Sequence, residues 1–105
     1  MSAKLITILW RDIPAQIVAK KKRESHRVEL PSRFQVAIDR AAMEAGLTGT
    51  DEYLAEWRQE VREFEGDLEA EAASLVSDLD AAFPQETLNQ YAANRGKTPT
   101  SEGNV

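Results

Sequence analysis

The chain contains no cysteine and only one histidine, His26, in 105 residues. The first absence excludes disulfides, thiolate zinc sites, iron–sulfur ligation and cysteine nucleophiles together, and it suits a reducing compartment. The second leaves imidazole chemistry to a single residue in a charged stretch with no distinctive setting. No G-x-S-x-G elbow occurs, and Gly46, Gly49, Gly66, Gly96 and Gly103 form neither a phosphate loop nor a dinucleotide fingerprint. Long hydrophobic runs are missing as well. The longest near the start, Leu5 to Trp10, is interrupted by Thr7, too short for an export signal or a membrane span. These absences lead to the expectation of a cytoplasmic chain with no membrane partner, no catalytic residues, no metal and no cofactor.

What is present is charge, and it is unevenly distributed. Residues 1–40 hold nine Lys/Arg against four Asp/Glu, whereas residues 41–105 hold four against fourteen, so the overall charge of −5 joins a basic end to an acidic one. A basic end can meet an anionic partner that the acidic half would repel, but two oppositely charged surfaces attracting one another within one domain explain the split equally well. At this length a single domain can bury roughly 60–70% of the surface its unfolded chain exposes, enough for a modest core.

Lys4–Trp10 is rich in β-branched residues, and both alternation classes are mostly apolar, as in a strand covered on both faces. Arg11 to Pro14 should break it, because proline cannot donate to a ladder. Residues 15–21 suggest a second strand, and the alternation in 26–30 could add a short third. Ser32 and Gln35 match a capping box for a helix ending near Ala45 at the Gly46–Leu47 pair. Thr50, Asp51 and Glu52 suit the start of another. Its stripe of Leu54, Trp57, Val61 and Phe64 continues through Leu68, Ala72, Leu75, Leu79 and Phe83. A break is expected at Gly66–Asp67, since Asp67 can cap a third helix over residues 68–82. Pro84 opens a fourth ending near Asn94, and the tail from Gly96 is expected to be disordered. The expected fold is α+β: an N-terminal β-hairpin packed against three or four helices in one domain over residues 1–95.

Three features bear on function. The basic cluster Lys20, Lys21, Lys22 and Arg23, with Arg27 nearby and Arg33 beyond, offers candidates for anion binding. On a strand only about half of such a cluster can face one anion, and no aromatic platform is interleaved, so nucleic acid is not expected as the partner. The segment Trp10, Arg11, Asp12, Ile13, Pro14, Ala15 and Gln16 sets a tryptophan and a charged pair at a proline turn. Tryptophan and arginine are enriched at interface hot spots, which makes Trp10, Arg11, Asp12, Ile13, Pro14 and Gln16 candidates for partner binding. The competing explanation is that Trp10 caps the core while Asp12 bonds the turn. Lastly, the stripe from Leu68 to Phe83 could support a homodimer. Glu52, Glu56, Glu60 and Glu63 align on a helical register, but their spacing fits a solvated face paired with Arg58 and Arg62 better than a metal site.

The segments Trp10–Gln16, Leu30-Pro31-Ser32-Arg33-Phe34, Ala37-Ile38-Asp39, Ala41-Ala42-Met43, Gly46-Leu47, Asp51, Tyr53-Leu54 and Trp57-Arg58 resemble the small bacterial proteins grouped as the virulence factor family. The resemblance spans residues 4–64 and leaves the acidic helical extension over residues 67–94 uncovered. It implies an accessory role, because longer family members join this module to an iron–sulfur scaffold type of domain and to helical repeats. It also implies an association with corrinoid and folate one-carbon metabolism, including methionine formation. The family supplies no catalytic residues to transfer. A non-catalytic protein-interaction module is therefore the leading expectation, and a small ligand-binding or accessory factor in one-carbon metabolism the alternative.

Overall fold

A computed structural model describes residues 3–47, 49 and 51–99 of the chain. Its elements follow the order β1 (Ala3–Trp10), β2 (Ile13–Lys21), β3 (Glu24–Glu29), α1 (Ser32–Ala45), α2 (Asp51–Ala55), β4 (Trp57–Phe64), α3 (Leu68–Ala82) and α4 (Gln85–Ala93). The strands form one antiparallel sheet in the order β3-β2-β1-β4, and the architecture is α+β as expected.

Two-residue turns join β2 to β1 at one end and to β3 at the other. Arg11 (φ 54°) and Lys22 (φ 58°) both occupy the left-handed region at the first turn position. That region costs a side-chain-bearing residue energy, and tight hairpin loops require it. Strand β2 already begins at Ile13, so Pro14 lies inside a central strand rather than breaking it. A bulge makes this possible. Ile8 pairs with Gln16 and Leu9 with Pro14, leaving Ala15 as the extra residue.

The parity of the ladder follows from these turns. A two-residue hairpin makes Trp10 and Ile13 a hydrogen-bonded pair, and on the other side of β1 the Arg11 amide donates to the Glu56 carbonyl at 3.0 Å. Alternation then sends the backbone groups of Leu9 towards β4, so β1 asks no donor of Pro14 opposite.

Strand β4 is the main departure from the sequence reading. The helical stripe of Leu54, Trp57, Val61 and Phe64 predicts a second helix through this stretch, but α2 ends at Ala55 and residues 57–64 run along β1. Strand β1 is central and β2 satisfies only one of its edges. The other would leave buried amides unpaired, and β4 supplies them. The Glu52, Glu56, Glu60 and Glu63 alignment disappears with the helix, since Glu60 and Glu63 now project to opposite faces. The proposed Thr50 cap lies outside the described residues.

Helix α3 lies over the face carrying Ala3, Leu5, Ile17, Ala19 and Phe64, where Ala72 is fully buried. Leu68, Leu75 and Leu79 pack there too, so the stripe considered for self-association is largely used within the monomer. The second cluster gathers Trp10, Ile13, Phe34, Ile38, Leu88 and Ala92, where α1 and α4 pack on each other at the Trp10 end of the sheet. Ile6, Ile8 and Val18 belong to neither cluster, so β1 is covered on both faces only at that end.

The helix ends show how far local punctuation reaches. Gly46 takes the left-handed cap (φ 73°), and the Leu47 amide reaches back to the Ala42 carbonyl at 2.9 Å. Asp67 caps α3 by accepting from the Ala70 amide at 2.8 Å. The Ser32–Gln35 capping box does not form: Pro31 is the N-cap, Ser32 is already helical, and Gln35 donates to Asp39 instead. Among the described residues no helix is long and apolar enough to cross a membrane.

Candidate functional site

Arg11 and Asp12 form the tip of the β1–β2 turn, and each binds a different neighbour. The Arg11 guanidinium bonds Glu56 Oε1 at 3.0 Å, donates to the Arg95 carbonyl at 2.9 Å and stacks over the Trp10 ring with its Cζ 5.1 Å from the centroid. Asp12 Oδ1 takes Arg58 Nη2 at 3.0 Å, while its Oδ2 accepts from both the amide (2.7 Å) and the hydroxyl (3.0 Å) of Thr98. The Asp12 amide donates to the Gly96 carbonyl at 2.8 Å. Arg58 closes the set by donating to the Arg11 carbonyl at 2.7 Å and pairing with Glu60 at 2.7 Å.

Burial disfavours the ionised Asp12 carboxylate, but the Thr98 amide, the Thr98 hydroxyl and Arg58 together outweigh it and hold the carboxyl below its ordinary range. Glu60, and to a lesser degree Asp12, holds the Arg58 guanidinium more firmly protonated, against a smaller opposing effect of burial. A carboxyl depressed in the folded state contributes stability that is present above its unfolded value and lost as pH falls through its folded one. Asp12→Asn is therefore expected to unfold at a lower temperature than wild type at pH 7, with the gap closing below about pH 4 as wild type loses its own carboxylate. Thermal melts of both proteins from pH 7 to 3 check this. A gap that stays constant would mean that the carboxylate charge is not what Thr98 and Arg58 hold.

The predicted partner-binding residues thus divide. Trp10 and Ile13 are fully buried and Pro14 is buried with them, so the surface left by that segment is Arg11, Asp12 and Gln16, the last accepting from Arg27 at 2.7 Å. Trp10 Nε1 donates to the Tyr53 carbonyl at 2.9 Å, and its ring lies 5.5 Å from that of Tyr53. The anion candidates divide too. Lys20, Lys22 and Arg23 are exposed around the β2–β3 turn with Lys21 half-buried, whereas Arg33 lies apart. Arg33 holds α1 to the end of α3, pairing with Asp80 and donating to the Phe83 carbonyl at 2.9 Å. That use of arginine satisfies orphan carbonyls at a helix C-terminus.

Sequence reasoning missed Arg58, Glu56, Gly96 and Thr98. The three- and four-residue spacing predicts a helix through Glu56 and Arg58. Gly96 to Thr98 were assigned to a disordered tail, yet they are pinned to the turn, and only residues 100–105 of that tail lie outside the described chain. Beside this network, between α3 and β4, runs an open groove of about 540 Å3. Leu5, Leu9, Leu75, Leu79 and Phe83 line its apolar part, with Asp12, Arg58, Glu60 and Arg62 among its polar residues. No group of three or more His, Cys, Asp or Glu side chains suited to a metal ion occurs among the described residues.

The virulence factor family model matches residues 8–91, from the middle of β1 into α4. The chain belongs to the virulence factor family. The match reaches beyond the expected limit at residue 64 and takes in α3 and most of α4. No curated protein and no solved structure matches the chain.

Proposed function

We propose that this virulence factor family member is a non-catalytic protein-interaction module that receives an apolar side chain or two of a partner protein in the groove between α3 and β4. The groove carries the reading, because it is the place where a long apolar wall meets ionic groups already committed to one another. Asp12, Arg58 and Glu60 hold each other, and Arg62 reaches Glu71 at 3.3 Å. Groups paired in this way keep hydrogen-bond partners when an incoming apolar side chain displaces water, while Glu60 and Arg62 still present exposed polar atoms. Beside them the half-buried side chains of Arg11 and Asp12 border the same surface.

A photo-crosslinking residue introduced at Thr7, which lines the groove, is expected to capture a protein partner that the same residue at exposed Val36 on α1 does not. Thr7→Arg, which fills the groove with a cation, should reduce co-purification of that partner by at least about tenfold while the fold persists by circular dichroism. Equal capture from both positions, or undiminished recovery with a folded Thr7→Arg protein, would move the docking site elsewhere.

A further inference from the structure

The outer edge of β4 is the longest stretch of unpaired sheet backbone in the described chain. Strand β4 is the terminal strand of the sheet, eight residues long, and its positions 58 to 63 are exposed. By the ladder parity, Arg58, Glu60, Arg62 and Phe64 spend their backbone groups on β1. Trp57, Gln59, Val61 and Glu63 therefore direct their amides and carbonyls outward.

Edges of this kind are usually protected by runs of one charge, as Lys20–Arg23 protects the far hairpin, or by proline. Strand β4 has neither. Its sequence Trp57-Arg58-Gln59-Glu60-Val61-Arg62-Glu63-Phe64 alternates charge signs, and Val61 at its centre is 53% exposed.

We propose that two copies of the chain pair antiparallel through their β4 edges, with Val61 opposite Val61 of the second copy at a two-fold axis perpendicular to the sheet. Such an axis requires residues of equal parity to face one another, and this register brings opposite charges together while engaging residues 58–64; centring on Gln59 would oppose Arg58 and Glu60 but engage only residues 57–61 of the strand. Glu60 then faces Arg62 of the second copy, and Arg62 faces its Glu60, on the α3 side of the sheet. Centring on Glu60 or Arg62 instead would oppose like charges, which is destabilising across a strand pair. Parity makes Val61 one of the outward-bonding residues, so the central pair closes with two hydrogen bonds. On the side of the sheet opposite α3, away from the α1–α4 cluster at the Trp10 end, Val18, Ile6 and Val61 already form one row across β2, β1 and β4, and pairing continues that row into its copy.

The inference does not depend on what the α3–β4 groove receives. Because the axis is perpendicular to the sheet, both grooves come to lie on one face, side by side.

Sedimentation equilibrium of the full chain over about 5–500 µM tests the pairing, a range that spans weak to moderate self-association. The expected mass rises from 11.7 kDa towards twice that value; a constant 11.7 kDa throughout overturns the proposal. Val61→Pro deletes an outward amide that β1 does not use, so it should abolish the dimer with the far-ultraviolet spectrum retained. Glu60→Arg replaces two attractive contacts with two repulsive ones and should weaken association at least about tenfold, while adding Arg62→Glu restores it to within about threefold. Hydrogen exchange should show the Gln59, Val61 and Glu63 amides gaining protection with concentration, and those of Arg58 and Glu60 unchanged. A dimer that survives Val61→Pro, or a charge swap that restores nothing, would assign the association to another surface. Gln59→Pro, which also deletes an outward amide but lies outside the groove lining, is expected to abolish dimerisation and leave capture of a partner at Thr7 unchanged, which separates this pairing from the groove reading.

Discussion

Trp10→Ala is expected to cost about 3–5 kcal/mol of folding stability, the range for truncating a large buried aromatic side chain. Against a typical total of about 5–15 kcal/mol, that would bring the domain close to unfolding. The reason is the number of separate segments that meet on this one ring. Trp10 is completely buried. It stacks with Tyr53, bonds the Tyr53 carbonyl, carries the Arg11 guanidinium on its face and is covered by Gly96. Removing it leaves a cavity walled by elements from both ends of the chain, and none of them can close it alone. Urea unfolding followed by the remaining Trp57 and by circular dichroism would measure the loss. A change below about 1 kcal/mol would mean that the surrounding segments collapse into the space at little cost.

Gly96→Ala is expected to destabilise by about 2–4 kcal/mol, from backbone strain and overpacking together. A Cβ at this position would sit 2.8 Å from Trp10 Cζ3 and 3.1 Å from Cε3, atoms of a ring held rigidly in the core. The backbone there also has φ 87°, a conformation that L side chains rarely adopt. Gly66→Ala is the control, because it too has positive φ (132°) but nothing within 4 Å of the added methyl. Thermal unfolding should therefore show a clearly larger loss for Gly96→Ala than for Gly66→Ala. Equal losses would show that close contact with Trp10 contributes nothing. Combining Gly96→Ala with Trp10→Ala should give less than the sum of the two effects, since the methyl then enters the cavity that the indole leaves.

These two residues also explain how the Arg11–Asp12 turn is held. Trp10 and Gly96 contribute no exposed surface, yet they place Arg11 and Asp12 where Glu56, Arg58 and Thr98 can bind them. Substitutions that aim to remove a partner contact at this turn should therefore change Arg11 or Asp12 and leave Trp10 in place. Loss of partner binding by a Trp10 variant would report unfolding as readily as a lost contact.

Part of the fold was legible because its signals are local. Gly46, free of a Cβ and so able to take the left-handed cap, and Asp67 and Pro84, through their own side chains, mark helix ends within one or two turns of chain. The helix limits they imply are those observed for α1, α3 and, within a residue, α4. The alternation of residues 26–30 was enough to suggest β3, which runs two residues earlier at its start and ends at Glu29. The candidate site was half legible: Arg11 and Asp12 stood out as a charged pair at a turn, while Thr98 stood in a polar tail that carries no signal of its own.

By itself the sequence determined the α+β class, the two hairpin turns' approximate places, the boundaries of α1, α3 and α4 and the scarcity of cysteine and histidine. Only the tertiary structure decided that residues 57–64 are a strand, that the tail after α4 returns to the first turn, and that Trp10 lies inside. Each of those outcomes depends on a partner some 40 to 90 residues away along the chain. Spacing of three and four residues in Leu54, Trp57, Val61 and Phe64 suits a helix equally well. The unpaired backbone edge of β1 tips the balance, and that edge exists only once the hairpin has formed.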